Sequence, residues 1–107
     1  VTKGENVEIE KIIGTNPSTI SETGCEQWDR IAQAVASTWK GCIVSPYLMV
    51  QCSDSRHYNG FSNHVYRFSA MDLTSEERAT IHGNNEKIRI ETIHKAVEFY
   101  IRLINKC

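Results

Sequence analysis

Two hydrophobic periods run along the chain. Between residues 6 and 13, Val7, Ile9 and the pair Ile12-Ile13 alternate with Glu8, Glu10 and Lys11, the period of two expected of a strand with one wet face. Gly14-Thr15-Asn16-Pro17-Ser18-Thr19 ends that pattern, because proline fixes its own φ and pushes Asn16 out of the helical region. Trp28, Ile31, Ala32, Val35 and Trp39 then recur at steps of three and four, which predicts a helix over about residues 22–39, capped from Ser21–Gly24 and stopped by Gly41. At that spacing the two tryptophans read as core packing before ligand stacking.

Residues 43–50 are nearly continuous in apolar side chains and predict a strand buried on both faces of a mainly parallel sheet, with Pro46 confining ladder pairing to the far half. The polar stretch Ser53–Tyr58 follows, then a turn at Asn59-Gly60, a short strand at 65–68 and a loop over 69–74. Thr74-Ser75-Glu76-Glu77 has the caps and acids of a helix start, and that helix ends near Ile81. In the last element Ile90, Ile93, Val97, Tyr100/Ile101 and Ile104 share one face, with Glu91, Lys95, Glu98, Arg102 and Lys106 on the other, predicting a helix over about residues 90–105 that covers a sheet. Strand, helix, strand, strand, helix predicts the α/β class in one small domain.

Composition narrows the partners. With 40% hydrophobic and 23% charged residues in 107, the chain is ordinary globular material, and a formal net charge of −1 supplies no basic field for nucleic acid or an anionic membrane. The apolar run 43–50 falls far short of the roughly 20 residues of a membrane helix. Residues 1–6 carry neither the basic nor the apolar part of a signal peptide, which favours a cytoplasmic location. Cys25, Cys42, Cys52 and Cys107 are irregularly spaced, the pattern of free thiols in a reducing compartment more than of a disulfide framework.

Polar residues just past a strand end are where open α/β sheets place their chemistry. Arg56 stands there among Ser53, Asp54 and Ser55, and two readings stay open for it: a bidentate anchor for a substrate carboxylate, or an internal partner of Asp54 or Glu86. His57 reads as a loop histidine, and His64 and His94 as surface residues. His82 precedes Gly83 and could offer a neutral nitrogen to zinc, yet no H-E-x-x-H pair and no Cys/His finger spacing accompanies it. There is no nucleophile elbow, phosphate loop or dinucleotide fingerprint.

Taken together, Ser45-Pro46-Tyr47-Leu48-Met49-Val50, Ser53-Asp54-Ser55-Arg56-His57-Tyr58, Val65-Tyr66-Arg67-Phe68-Ser69-Ala70-Met71 and Ile81-His82-Gly83-Asn84-Asn85-Glu86-Lys87-Ile88 resemble the C-terminal part of the zinc aminoacylase and carboxypeptidase S family, which also holds acetylornithine and succinyl-diaminopimelate deacylases. Asn16-Pro17-Ser18 with its following helix and the closing helix extend the resemblance to essentially the whole chain.

The resemblance implies a two-zinc hydrolase cleaving an amide bond of N-acyl amino acids or peptides beside a free carboxylate. His82 falls on the family's last zinc ligand, and Arg56, with Ser53 and Asp54, on its substrate-binding segment. The implied fold is part of a three-layer αβα zinc-peptidase domain with a mainly parallel sheet, without its N-terminal half. Residues 14–107 correspond to the C-terminal part of that catalytic domain, and residues 1–13 to the last strand of the lid, or dimerisation, domain or to a linker.

Gln51-Cys52-Ser53 departs from the Gly-Gly-Thr or Gly-Asn-Thr of relatives, so a backbone position suited to close approach is lost. The family's other metal ligands and its general base lie N-terminal to anything in this chain. The isolated chain is therefore expected to be inactive, contributing one of five metal-binding residues. The alternative is a non-catalytic α/β interaction or assembly module, self-associating through an exposed sheet edge.

Overall fold

The computed structural model describes residues 10–51 and 53–107. Among these residues lie three α-helices, α1 (Glu26–Thr38), α2 (Ser75–Ala79) and α3 (Ile90–Ile104), with a 3-10 turn at Asp54–His57 between the first two. The predicted start of α1 moves inward by four residues for a local reason. Gly24 takes a φ of 78°, so the chain enters the helix only at Cys25, which caps it without a side-chain hydrogen bond. At the other end the helix already stops at Thr38, with Trp39 extended as its C-cap; Gly41, expected as the stop, takes φ 83° two residues further on.

Ser21, expected as a cap donor, is committed elsewhere. Its hydroxyl donates to the Val65 carbonyl at 2.8 Å and accepts from the Val65 N–H at 3.1 Å, so one side chain satisfies both backbone groups that a neighbouring strand would otherwise meet. Beside it the Glu22 N–H donates to the Asn63 carbonyl at 3.3 Å.

The α/β expectation, with its mainly parallel sheet and αβα layers, is corrected here: among the described residues there is no strand and no sheet. Residues 43–50 and 65–68 form no ladder. Alternating or continuous apolar side chains are necessary for a strand, but pairing of N–H and C=O groups makes one. Val65 spends those groups on Ser21, and Pro46 has no N–H to offer. Far from being buried on both faces, residues 43–50 are mostly bare: Ile43 is 93% exposed and Val50 83%. With no sheet among the described residues, the sheet edge expected to drive self-association is also missing there. Of the first predicted strand, residues 6–9 lie outside the described residues, as does most of the 1–13 lid segment; residues 10–13 are not strand, and Ile12 and Ile13 lie exposed.

The core sits where α1 meets α3, made of buried Ala34, Val35, Ala70 and Phe99 with Ile31, Trp39, Val44, Ala96 and Leu103 against it. Three aromatic rings build its centre: Phe68 and Phe99 at 5.0 Å, Trp39 and Phe99 at 5.7 Å, and Trp39 and Phe68 at 6.3 Å between centroids. Arg102 ties the helices together from the rim, donating to the Ser37 carbonyl at 2.6 Å and to Thr38 Oγ1 at 3.0 Å. A radius of gyration of 18.2 Å, against about 13 Å for a compact chain of this length, fits a core so small.

The inward face of α3 also differs from the expectation. Thr92 and Phe99 are buried, with Ala96 and Leu103 packed beside them, whereas Ile90, Ile93, Val97, Ile101 and Ile104 stay outside. Residues 92, 96, 99 and 103 keep the same helical spacing on another side of the cylinder, and Phe99 decides the matter by filling the gap between Trp39 and Phe68.

Candidate functional site

The Ser53–Tyr58 stretch becomes a tight turn because Ser53 caps it. Its hydroxyl accepts from the Ser55 N–H at 3.2 Å, and its carbonyl from the Arg56 N–H at 3.2 Å. Asp54 opens the turn and Arg56 and His57 close it. Arg56 does not pair with Asp54 or Glu86; its Nε donates to His57 Nε2 at 3.3 Å, and the side chain otherwise stands at the surface. An exposed guanidinium on a fixed turn retains N–H groups able to bind a carboxylate.

Arg67 is the residue that sequence reasoning missed in this region. Its Nε donates to Ser55 Oγ at 2.7 Å and its guanidinium reaches Ser18 Oγ at 3.3 Å, pinning the turn to the loop before α1. The only sequence signal for it was an arginine inside an otherwise aromatic and apolar segment.

His82 lies in a second turn, built from the end of α2. At the predicted helix start Thr74 and Glu77 form a capping box: the Glu77 N–H donates to Thr74 Oγ1 at 3.2 Å and the Thr74 N–H to Glu77 Oε2 at 2.8 Å. The Glu77 carboxylate, nearly fully buried, also accepts from the Arg89 N–H at 2.9 Å and from Arg89 Nε at 3.0 Å. Arg89 in turn donates to the Asp72 carbonyl at 2.6 Å. The Thr74 N–H, with Arg89 adding to it against the opposing effect of burial, holds the Glu77 carboxyl at about 2. One residue thus starts α2 and fastens the entry to α3.

Thr80 carries the chain from this anchor into the loop. Its hydroxyl donates to the Glu77 carbonyl at 2.7 Å and accepts from the Lys87 N–H at 3.3 Å, while its carbonyl accepts from the Gly83 N–H at 2.8 Å. A Cβ on Gly83 would stand 3.0 Å from that carbonyl oxygen, a tight contact that glycine avoids. His82, between them, has φ 64°, the left-handed region, at a cost of about 1–2 kcal/mol for a residue with a Cβ. It is the one non-glycine residue there among those described. Its N–H donates to Glu86 Oε2 at 3.2 Å, and the residue is exposed.

The two turns are each well built, but no hydrogen bond or ion pair among the described residues joins Ser53–Arg56 to His82. Nor do three His, Cys, Asp or Glu side chains gather there around a point where one ion could be held. A zinc centre needs at least three protein ligands, so the described residues alone do not fit one, and no catalytic step through a metal follows from them.

Two hollows lie elsewhere. One, of about 410 Å³, runs between α1 and residues 43–49 and 65–68, walled by core-type side chains such as Trp28, Ile31 and Val35; the other, of about 680 Å³, opens beside Arg102 and Lys95. The first is uncovered core surface more than a polar site. Near it Tyr66 donates to the Glu22 carbonyl at 2.6 Å and lies 3.2 Å from Cys25 Sγ; burial, with Cys25 beside it, pushes the phenol up to about 12. Among the described residues no helix is long and apolar enough to cross a membrane.

Comparison with known proteins places these turns in context. The model of peptidase family M20/M25/M40 matches residues 2–106. The chain is 36% identical over 103 residues to N-fatty-acyl-amino acid synthase/hydrolase PM20D1 of Xenopus tropicalis, covering 95% of this chain and 20% of that protein. It is 27% identical over 105 residues to a probable carboxypeptidase S-like 2 of Dictyostelium discoideum, covering 97% and 20%, and 31% identical over 102 residues to PM20D1.1 of Danio rerio, covering 94% and 20%. The chain therefore spans about a fifth of the length of these curated relatives. No solved structure matches.

Proposed function

Because the chain belongs to peptidase family M20/M25/M40, we propose that it is the part of a hydrolase that supplies one metal ligand and one substrate anchor for cleaving an amide bond of N-acyl amino acids or peptides beside a free carboxylate. His82 offers an imidazole nitrogen to zinc. Arg56 receives the substrate carboxylate through two parallel hydrogen bonds, with Ser53 and Asp54 fixing the turn that presents it. Were a zinc centre completed by residues outside those described, His82 would be one of its ligands and the metal would supply Lewis-acid chemistry there.

The observation that carries this reading is the left-handed backbone of His82 on a loop tied to a buried carboxylate. Strain of this kind persists only where surrounding contacts hold it, and such residues cluster at functional sites.

The test has two arms. Release of free amino acid from N-acyl amino acids is measured with this chain and zinc; no turnover is expected, and robust zinc-dependent turnover would overturn the claim that it supplies only part of a site. The matching segment of the Xenopus tropicalis relative is then replaced by this chain. Hydrolysis is expected to survive the exchange and to fall by at least about a hundredfold on His82→Ala, on the scale of losing interactions that hold a metal site. Hydrolysis indifferent to His82→Ala would remove the ligand role.

A second reading, as a non-catalytic assembly module, is favoured by a different observation, the bare apolar surface of residues 43–50 and of the outer side of α3. Light scattering checks it: a monomer at high concentration would count against it.

A further inference from the structure

We propose that Glu86 is a positioning residue for His82, its carboxylate fixing the left-handed backbone from which the imidazole projects; this rests on the reading of His82 as a ligand donor. Thr80 and Gly83 meet through the backbone, and the Lys87 N–H meets the Thr80 hydroxyl. At His82 the chain turns left-handed, and its N–H leaves the helical direction of α2. It is accepted by Glu86 Oε2 at 3.2 Å.

Sequence separation makes this assignment informative. Glu86 stands four residues beyond His82, the distance of a helical neighbour, yet the segment between is a turn through Gly83-Asn84-Asn85 and no helix. The carboxylate reaches back across that turn and closes it at the strained residue. A charged acceptor makes a stronger hydrogen bond to an N–H than a neutral one, which suits a bond that must offset an unfavourable φ. Both residues are exposed, so the pair contributes nothing to the core that could explain it as packing.

Amide hydrogen exchange and backbone chemical shifts of this chain test the proposal. In Glu86→Ala the His82 amide should exchange roughly tenfold faster, the scale of one lost hydrogen bond to a charged group, and the carbon shifts of residue 82 should move away from left-handed values. Phe99 and the Glu77–Arg89 amides should not change, which separates a local effect from unfolding. Glu86→Gln keeps an oxygen acceptor and should keep residue 82 left-handed.

A second background keeps the test sharp. In His82→Gly the residue adopts positive φ unaided, so adding Glu86→Ala should leave the carbon shifts of residue 82 at left-handed values even though its amide loses its acceptor. Unaltered exchange and shifts at residue 82 in Glu86→Ala, or an equal change of shifts in the glycine background, would overturn the positioning role. The exchange of this chain into the Xenopus tropicalis relative reads the ligand role separately: hydrolysis there indifferent to His82→Ala would remove that reading and leave the amide-exchange result standing.

Discussion

The α1–α3 joint and the segment from Ile43 to Val50 are made of similar residues and end in opposite conditions. At the joint, Phe99 finds Trp39 and Phe68 around it and is 1% exposed; in the segment, Tyr47 and Ile43 are both 93% exposed. The difference lies in backbone pairing. A helix satisfies its own N–H and C=O groups and can bury a face against any neighbour, whereas an extended segment must first find a partner for every rung. Among the described residues each helix therefore buries one face at the joint, while residues 43–50 find no partner.

Several substitutions would break or sharpen that contrast. Phe99→Ala should have the largest effect, a loss of about 3–5 kcal/mol in denaturant unfolding, because it empties the centre of the aromatic cluster. An unchanged midpoint would mean that the joint is not the core.

Glu77→Gln should come next and be visible in acid. The Glu77 carboxyl lies at about 2 in the folded chain against an ordinary 4.5, so its stabilisation is complete above about 4.5 and is lost as the pH falls from there to about 2. The variant should lack that acid limb when unfolding is followed by circular dichroism across the range. A limb of full size in the variant would assign it to other carboxylates.

Gly83→Ala should cost about 1–2 kcal/mol, since the new methyl meets the Thr80 carbonyl oxygen at 3.0 Å and the loop must shift. Thermal melts would register this, together with faster amide exchange across residues 80–87. Leu48→Ser should have the smallest effect, within about 0.5 kcal/mol, because that side chain is 77% exposed. A larger loss would show that residues 43–50 are covered in solution.

What could be read from the sequence follows the same division. The helix start at Thr74–Glu77 and the extent of α3 depend on residues within a few positions of one another, and each is where its spacing predicts. The strands at 43–50 and 65–68 depend on a pairing that residue order does not report, and the hydroxyl of Ser21 at Val65 could not be foreseen. The buried face of α3 was misread because two stripes share the helical period and only the position of Phe68, outside the helix, chooses between them.

The candidate site was legible in its residue types and less so in its supports. Ser53, Asp54 and Arg56 share one turn, and His82 stands before a glycine that packs closely on the Thr80 carbonyl. Arg67, Thr80 and Glu86, which hold those turns, drew little or no notice because their partners lie across loops whose paths the sequence leaves open.

Pro46 acquires a protective role from the bareness of its neighbours. From Gly41 to Ser53 the chain has no charged residue, and it is rich in β-branched and aromatic side chains, the composition from which cross-β stacking grows. Proline cannot donate to such a stack, and it divides the run near its middle, with Lys40 and Asp54 as charged sentries at its two ends. A residue that limits regular pairing in the fold is thus also the one that keeps uncovered copies of this segment from templating one another.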